Sequence, residues 1–297
     1  MRAREDFRSA VAVTAVGTGL GFASGRTQAV FCAQTVHASW LGAVFSALAY
    51  GLLMAMLCHL KRRTGARRFP GVYRRLLGYH AGKLIGGLYA VALLVAAVLL
   101  LSTAVKVGAL VLPLRHAALV GALAALLIAG IVAVLGDSAL VCVGGAYLAL
   151  LLTLELALWR FGGRPDPARL QFVVDLRLQD SLPGSLILGT LCACMSTALS
   201  AGVAVRMANS RTTPCGVGLF CALLYLMVQL AGNAALQRQQ REVLSLRTPF
   251  VALTALWGKP GFYLSAELIF LGAATALAGV LRALLPKNSE GRDVYGC

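Results

Sequence analysis

Apolar residues run for twenty or so positions at a time, separated by short polar or basic connections, and this alternation divides the chain into about eight blocks. A hydrocarbon core of roughly 30 Å takes about 20 residues of helix to cross. The blocks fall near residues 8–34, 39–60, 84–110, 116–135, 138–158, 183–207, 214–236 and 261–284. The pattern therefore predicts an all-α, polytopic transmembrane bundle of about eight spans, formed as a single integral membrane domain over residues 1–297. The third block is long enough to tilt or to project beyond the hydrocarbon.

The first block is interrupted. Residues 17–25 read Gly-Thr-Gly-Leu-Gly-Phe-Ala-Ser-Gly, and each glycine inside a helix costs roughly 1 kcal/mol relative to alanine. Unwound backbone at membrane depth is tolerated only where protein covers it or where it lines a cavity, and secondary transporters place binding sites at such breaks. Gly19, Gly21, Phe22, Ala23, Ser24 and Gly25 are accordingly the leading candidate site. Arg26 follows directly, and an arginine at membrane depth costs at least ~2.5 kcal/mol unless it is paired or snorkels. Its role is open between a structural ion pair, recognition of a substrate carboxylate, and snorkelling. Glu155 and Glu267 are the carboxylates clearly inside spans. Glu267 lies about two turns from a span boundary, where a solvated helix end is the plain reading. It becomes a proton-carrier candidate if the eighth span touches the first.

The sixth block carries a second run of small and hydroxyl residues, Gly189-Thr190-Leu191-Cys192-Ala193-Cys194-Met195-Ser196-Thr197, followed by Ser200-Ala201-Gly202. Its Gly-Thr opening echoes Gly17-Thr18, as an inverted repeat with two discontinuous helices would. Close helix packing through small residues gives the same pattern. Ser196 and Thr197 are the candidate pocket residues here.

Composition excludes a soluble protein: 59% of residues are hydrophobic and 13% charged, with a mean hydropathy of +0.80, whereas ordinary soluble domains carry about a quarter charged residues. The net charge of +16 sits mainly between spans, where it reads as a topology signal and a contact with anionic lipid headgroups rather than with nucleic acid. Lys61, Arg62, Arg63, Arg67, Arg68, Arg74, Arg75 and Lys83 make residues 61–83 a basic cytoplasmic loop. Both termini are then cytoplasmic, with 286–297 as a tail and 159–182 and 237–260 as external loops. The first block lacks a cleavage site, so it is expected to stay in the mature protein. In the first external loop, Gly162-Gly163, Pro165 and Pro167 predict turns around a short surface helix over 170–178. Residues 240–258 read either as a short helical hairpin over the external mouth or as an interfacial loop on headgroups.

Other chemistry has little support in the sequence. The cysteines are scattered, and Cys192 and Cys194 would point to different faces of a helix, so no metal site is expected. The histidines lack ligand spacing. No nucleotide-binding loop or nucleophile elbow occurs, and neither enzymatic activity nor a cofactor is expected.

The run Thr14-Ala15-Val16-Gly17-Thr18-Gly19-Leu20-Gly21-Phe22-Ala23-Ser24-Gly25 resembles the G-x-G-F-A-S-G-Q-E signature that opens the YkvI-like membrane proteins of the amino acid/polyamine/organocation transporter superfamily. The basic loop after span two, Gly136-Asp137 before span five, the small-residue centre of span six and the segment 242–250 before span eight follow in a similar order. The resemblance implies a LeuT-type inverted-repeat core, with spans one and six unwound around the substrate and spans one and eight holding a coupling cation. Arg26-Thr27 stands where the family pattern has Gln-Glu, and the hydroxyl pair of span eight is reduced to Ala274-Thr275. Spans nine and ten of such a core have no counterpart within residues 1–297, which leaves open a fragment, a reduced, shortened form of the core, or a degenerate relative. The expectation is a secondary active transporter of a small organic solute, an amino acid or related amine, working by alternating access on an ion gradient. Gly19 to Gly25, Arg26, Ser196 and Thr197 would bind solute, and Thr275 and Glu267 would serve the coupling ion, Na+ or H+. The alternative is a membrane scaffold, sensor or partner subunit that keeps a degenerate transporter fold without transporting.

Overall fold

The computed structural model describes residues 2–19, 21–29, 39–66, 69–162, 182–237 and 248–285. These form helices α1 (Arg2–Thr18), α2 (Arg26–Gln28), α3 (Ser39–Thr64), α4 (Phe69–Leu77), α5 (Tyr79–Val111), α6 (Ala117–Leu135), α7 (Asp137–Phe161), α8 (Leu182–Met207), α9 (Pro214–Gln237), α10 (Pro249–Ala255) and α11 (Lys259–Leu284). The turns read for 162–167, the surface helix over 170–178, the start of the 240–258 segment and the 286–297 tail fall largely or wholly outside the described residues.

Among the described residues, seven helices, α3, α5, α6, α7, α8, α9 and α11, are long and apolar enough to cross a membrane. The chain is thus a polytopic all-helical bundle. The first predicted span differs from the others because its helix stops at Thr18 and resumes only at Arg26. That break is why seven continuous apolar helices stand where the hydrophobic pattern predicts about eight spans.

Burial follows side-chain size. Every residue of α1 from Ser9 to Thr18 is buried, and α1 packs against α7, α8, α9 and α11. Its Ala, Val, Thr and Gly side chains are small on every face, so four neighbours can close around it. Helix α5 is the opposite case. Leu84, Leu88, Val91, Val95, Val98 and Leu99 all point outward, as expected of a helix whose solvent is lipid. Helix α11 is mostly interior, with Gly272 to Val280 buried without interruption.

Two expectations change. The sixth span is one unbroken helix from Leu182 to Met207, so the predicted second discontinuity does not occur. Two of its hydroxyls bond back to their own helix: Thr190 Oγ1 donates to the Leu186 carbonyl at 2.8 Å and Ser200 Oγ to the Ser196 carbonyl at 2.7 Å. The small residues serve close approach instead, with a Cβ at Gly189 falling 2.6 Å from the Gly42 carbonyl oxygen of α3. The basic loop, in turn, contains a helix. α4 buries Phe69 and Val72, and the Phe69 ring lies 4.2 Å from that of Tyr89. Arg75 reaches back to the Thr64 carbonyl and closes the elbow between α3 and α5.

One end of the bundle is basic and tied by polar links. Asp6 of α1 accepts from the Thr213 N–H at 2.6 Å and from Thr213 Oγ1 at 2.5 Å. Asp137, at the first turn of α7, pairs with Arg282 of α11 and lies 3.6 Å from Arg206 Nε of α8. Arg206 also donates to the Arg282 carbonyl at 2.8 Å, and Arg282 to the Ala133 carbonyl at 2.8 Å.

Candidate functional site

A helix leaves its last four carbonyls without intrahelical partners, and inside a membrane each needs a donor. At the end of α1, Tyr147 Oη of α7 donates to the Thr18 carbonyl at 3.0 Å. The Gly19 N–H reaches the Val16 carbonyl at 3.4 Å. Thr18 Oγ1 covers the carbonyls of Thr14 and Ala15, at 2.9 and 3.4 Å. One turn earlier, Tyr50 Oη of α3 donates to the Val13 carbonyl at 3.1 Å and lies 3.2 Å from Ser200 Oγ. Two buried tyrosines therefore brace the broken helix. Tyr147→Phe should destabilise the fold by about 0.5–1.5 kcal/mol, read as a lower thermal midpoint in detergent.

Beyond Thr18 the chain turns twice. Gly21 and Gly25 have φ of 92° and 76°, in the left-handed region that costs other residues roughly 1–2 kcal/mol. The Gly25 N–H bonds to the Phe22 carbonyl at 2.8 Å. Ser24 Oγ donates to the Gly21 carbonyl at 2.8 Å and accepts from the Arg26 N–H at 3.3 Å. Space is short on both sides. A Cβ at Gly19 would lie 2.6 Å from the Ala276 Cβ, and one at Gly25 2.8 Å from the Phe250 ring.

The break opens on a cavity of about 180 Å3 between α1, α5 and α8, whose outer rim is exposed at Ala92 and Met195. Gly17, Phe22 and Thr27 form one wall, Ala92, Leu93 and Ala96 of α5 a second, and Cys192, Met195, Ser196 and Leu199 of α8 the third. Behind it, Tyr225 of α9 lies 2.9 Å from Ser196 Oγ and 3.2 Å from Cys192 Sγ. Its ring stacks on Tyr50 at 4.4 Å and meets Phe22 edge-on at 5.6 Å. The walls are mainly apolar, with hydroxyls and the carboxyl end of α1 at one side. A helix carboxyl end carries the equivalent of about half a negative charge.

Helix α10 covers the break. The Phe250 N–H donates to the Ser24 carbonyl at 3.1 Å, Phe250 and Leu253 are fully buried, and Thr254 Oγ1 donates to Ser265 Oγ of α11 at 2.9 Å. This end of the 240–258 segment packs on protein through Phe250, Leu253 and Thr254.

The candidate residues divide accordingly. Phe22 and Ser196 reach the cavity wall. Gly19, Gly21, Ala23, Ser24 and Gly25 shape the break, with the Ser24 hydroxyl engaged in its own turn. Arg26 opens α2 and is partly exposed. Thr197 Oγ1 is buried without a hydrogen-bond partner. Thr275 is buried on α11 but donates to its own helix, at the Leu271 carbonyl, 2.7 Å away. The eighth span does touch the first, yet Glu267 is not part of that contact. It is exposed and lines a groove with Leu154, Ala157 and Trp257. The helical period explains this: Ser265, Ala266, Leu268 and Ile269 take the interior of α11 and turn position 267 outward. Glu155, one of the two carboxylates inside spans, is engaged by Gln28, whose Nε2 donates to Oε1 at 2.6 Å.

Sequence reasoning missed Gln28, Thr27, Tyr50, Tyr147 and Tyr225. The available signal was polarity at positions inside apolar blocks, but only packing tells an interior tyrosine from an interfacial one. Among the described residues no group of three or more His, Cys, Asp or Glu side chains forms a metal site. No protein-family model matches the chain, and no curated protein matches it.

Proposed function

We propose that this chain is a secondary active transporter for a small organic solute, an amino acid or related amine, working by alternating access in the cell membrane with both termini cytoplasmic. The observation that carries the reading is the cavity of about 180 Å3 at the unwound Gly19–Gly25 segment. A broken helix beside a cavity is how transporters present backbone groups to a solute at membrane depth. The volume lies below the roughly 300–1,000 Å3 of drug-sized sites, which favours a small solute. The carboxyl end of α1 supplies the polarity that attracts an ammonium group, and the apolar walls suit a hydrocarbon side chain.

Contacts at both ends of the bundle would have to yield in such a cycle. Helix α10 lies over the break on one side, and the Asp137–Arg282–Arg206 cluster ties α7, α8 and α11 at the basic end. In the cycle proposed, α1 and α8, which pack on one another, rock together against the rest and expose the cavity to each side in turn. The basic end, with α4, faces the cytoplasm and its anionic headgroups.

The test is uptake of a mixed labelled amino-acid pool into proteoliposomes under an imposed proton or sodium gradient. Saturable, gradient-driven uptake is expected. Ser196→Ala removes one cavity hydroxyl and should raise KM by roughly 2–10-fold, the worth of one net hydrogen bond of 0.5–1.5 kcal/mol. Folded protein that takes up no solute under either gradient would sink the proposal.

A further inference from the structure

Glu155 has no part in the cavity, and it is the carboxylate whose surroundings the packing of the fold does not explain. It sits on α7 with no exposed surface, and Oε1 accepts one hydrogen bond, from Gln28 Nε2 at 2.6 Å. Gln28 is equally buried. Its amide also donates to the Val228 carbonyl of α9 at 3.2 Å, and it lies so close on Gly232 that a Cβ there would overlap it. Among the described residues, Glu155 Oε2 has no hydrogen-bond partner, nor has Gln28 Oε1. The arrangement holds one donor amide among buried oxygens that still want donors.

An ionised carboxylate only accepts hydrogen bonds. At this site it would place an uncompensated charge and an unsatisfied oxygen in the protein interior, which is strongly unfavourable. A neutral carboxylic acid supplies the missing donor on Oε2 and leaves Oε1 to accept from Gln28. Among the described residues, the contact given for the Glu155 carboxyl is the one from Gln28. α6 and α10 carry no titratable side chain. On α9, Tyr225 bonds to Ser196 and Cys192, and Cys221 and Cys215 lie nearer the basic end. Asp6 of α1 and Asp137 are engaged at that end, as is Arg282. Tyr147 gives its hydroxyl proton to the Thr18 carbonyl. At the same end as Glu155 stand Arg26, partly exposed at the start of α2, Arg160 on α7, and Glu267, Tyr263 and Lys259 on the exposed side of α11.

We propose that Glu155 is the proton-carrying group of the cycle and that Gln28 couples its protonation to the position of the first span. Gln28 follows the break by three residues, at the end of α2. Any rocking of the first span draws Gln28 off Glu155, removes its one donor and opens the carboxyl to water, where it releases its proton. This rests on the transporter reading and names its coupling ion.

The experiment has two independent arms. Infrared difference spectra of the reconstituted protein between acidic and alkaline pH should show a carboxylic-acid carbonyl band that is absent from Glu155→Gln and present in Glu267→Gln. In the unaltered protein, dicyclohexylcarbodiimide, which couples to neutral carboxylic acids, should label Glu155 by mass spectrometry, less so as pH rises. Neither measurement needs a known solute, so both stand if transport is not observed. In the second arm, Glu155→Gln should lose at least tenfold of proton-driven accumulation, and its solute exchange should no longer depend on pH. A band that persists in Glu155→Gln together with an unlabelled Glu155 overturns the proposal. So does accumulation that follows sodium and ignores the proton gradient.

Discussion

Leucine in place of Gly21 or Gly25 should, under the transport proposed, reduce gradient-driven uptake at least 100-fold while leaving the protein in the membrane. Both residues hold positive φ, which costs an L side chain roughly 1–2 kcal/mol. Both also lack room: a side chain at Gly21 would overlap Thr27 Oγ1, and one at Gly25 would press on the Phe250 ring. Overpacking adds about 1–3 kcal/mol. A combined cost near 3 kcal/mol, expressed as a loss of the solute-competent conformation, is about a hundredfold in rate. The two positions separate the causes. Phe250→Ala opens space beside Gly25, so Gly25→Ala with Phe250→Ala should recover part of the activity lost in Gly25→Ala alone. The same second change should do nothing for Gly21→Leu, whose obstacle is Thr27. Uptake at the unaltered rate in Gly21→Leu would remove the break from the mechanism.

The second large effect is expected at the basic end. Asp137→Ala leaves Arg282 and Arg206 facing each other without the anion between them, and both arginine side chains are only 11% exposed. Removing one partner of a fully buried pair costs roughly 3–5 kcal/mol. Asp137 itself is 38% exposed, so solvent screening brings the expected loss to about 1–3 kcal/mol. Thermal unfolding in detergent should begin several degrees lower. Under the transport reading the change also frees α7, α8 and α11 to part at that end. In a background retaining Cys192 as the sole cysteine, a membrane-impermeant maleimide added from the basic side should then react with Cys192 faster than it does with Asp137 intact. An unchanged labelling rate would mean that the cluster holds the fold and does not gate the cavity.

The spans were legible because twenty apolar residues in a row leave few alternatives in any solvent. The break was legible for a related reason: four glycines within nine positions have no place in a helix that must stay wound. Helix α8 shows where composition misleads. Hydroxyls and small residues occur both in unwound segments and in tight helix seams, and only the neighbouring helix decides between them. Here Gly42 of α3 approaches α8, and Ser200 bonds to its own backbone, so the helix stays intact. Helix α4 was hidden by its arginines, which read as a loop until Phe69 and Val72 find their cover. The pairing of Glu155 with Gln28 joins two residues far apart in the chain, and no spacing rule connects them. Glu267 is the converse case: its helix packs on the first, while its own side chain faces outward, as the plain reading of a helix-end carboxylate has it.

Helix α10 sets a constraint on how the protein is made. The Ser24 carbonyl receives its hydrogen bond from the Phe250 N–H, and the Phe250 ring fills the space beside Gly25. At about 5–20 residues per second, synthesis of the residues between those two positions takes roughly 10–45 s. Through that interval the first span is held in the membrane without the contacts that fix its turns. Its final shape is therefore acquired only after the last helices arrive. A ribosome stalled before α10 would leave a polar, half-wound segment for the insertion and quality-control machinery to protect or destroy.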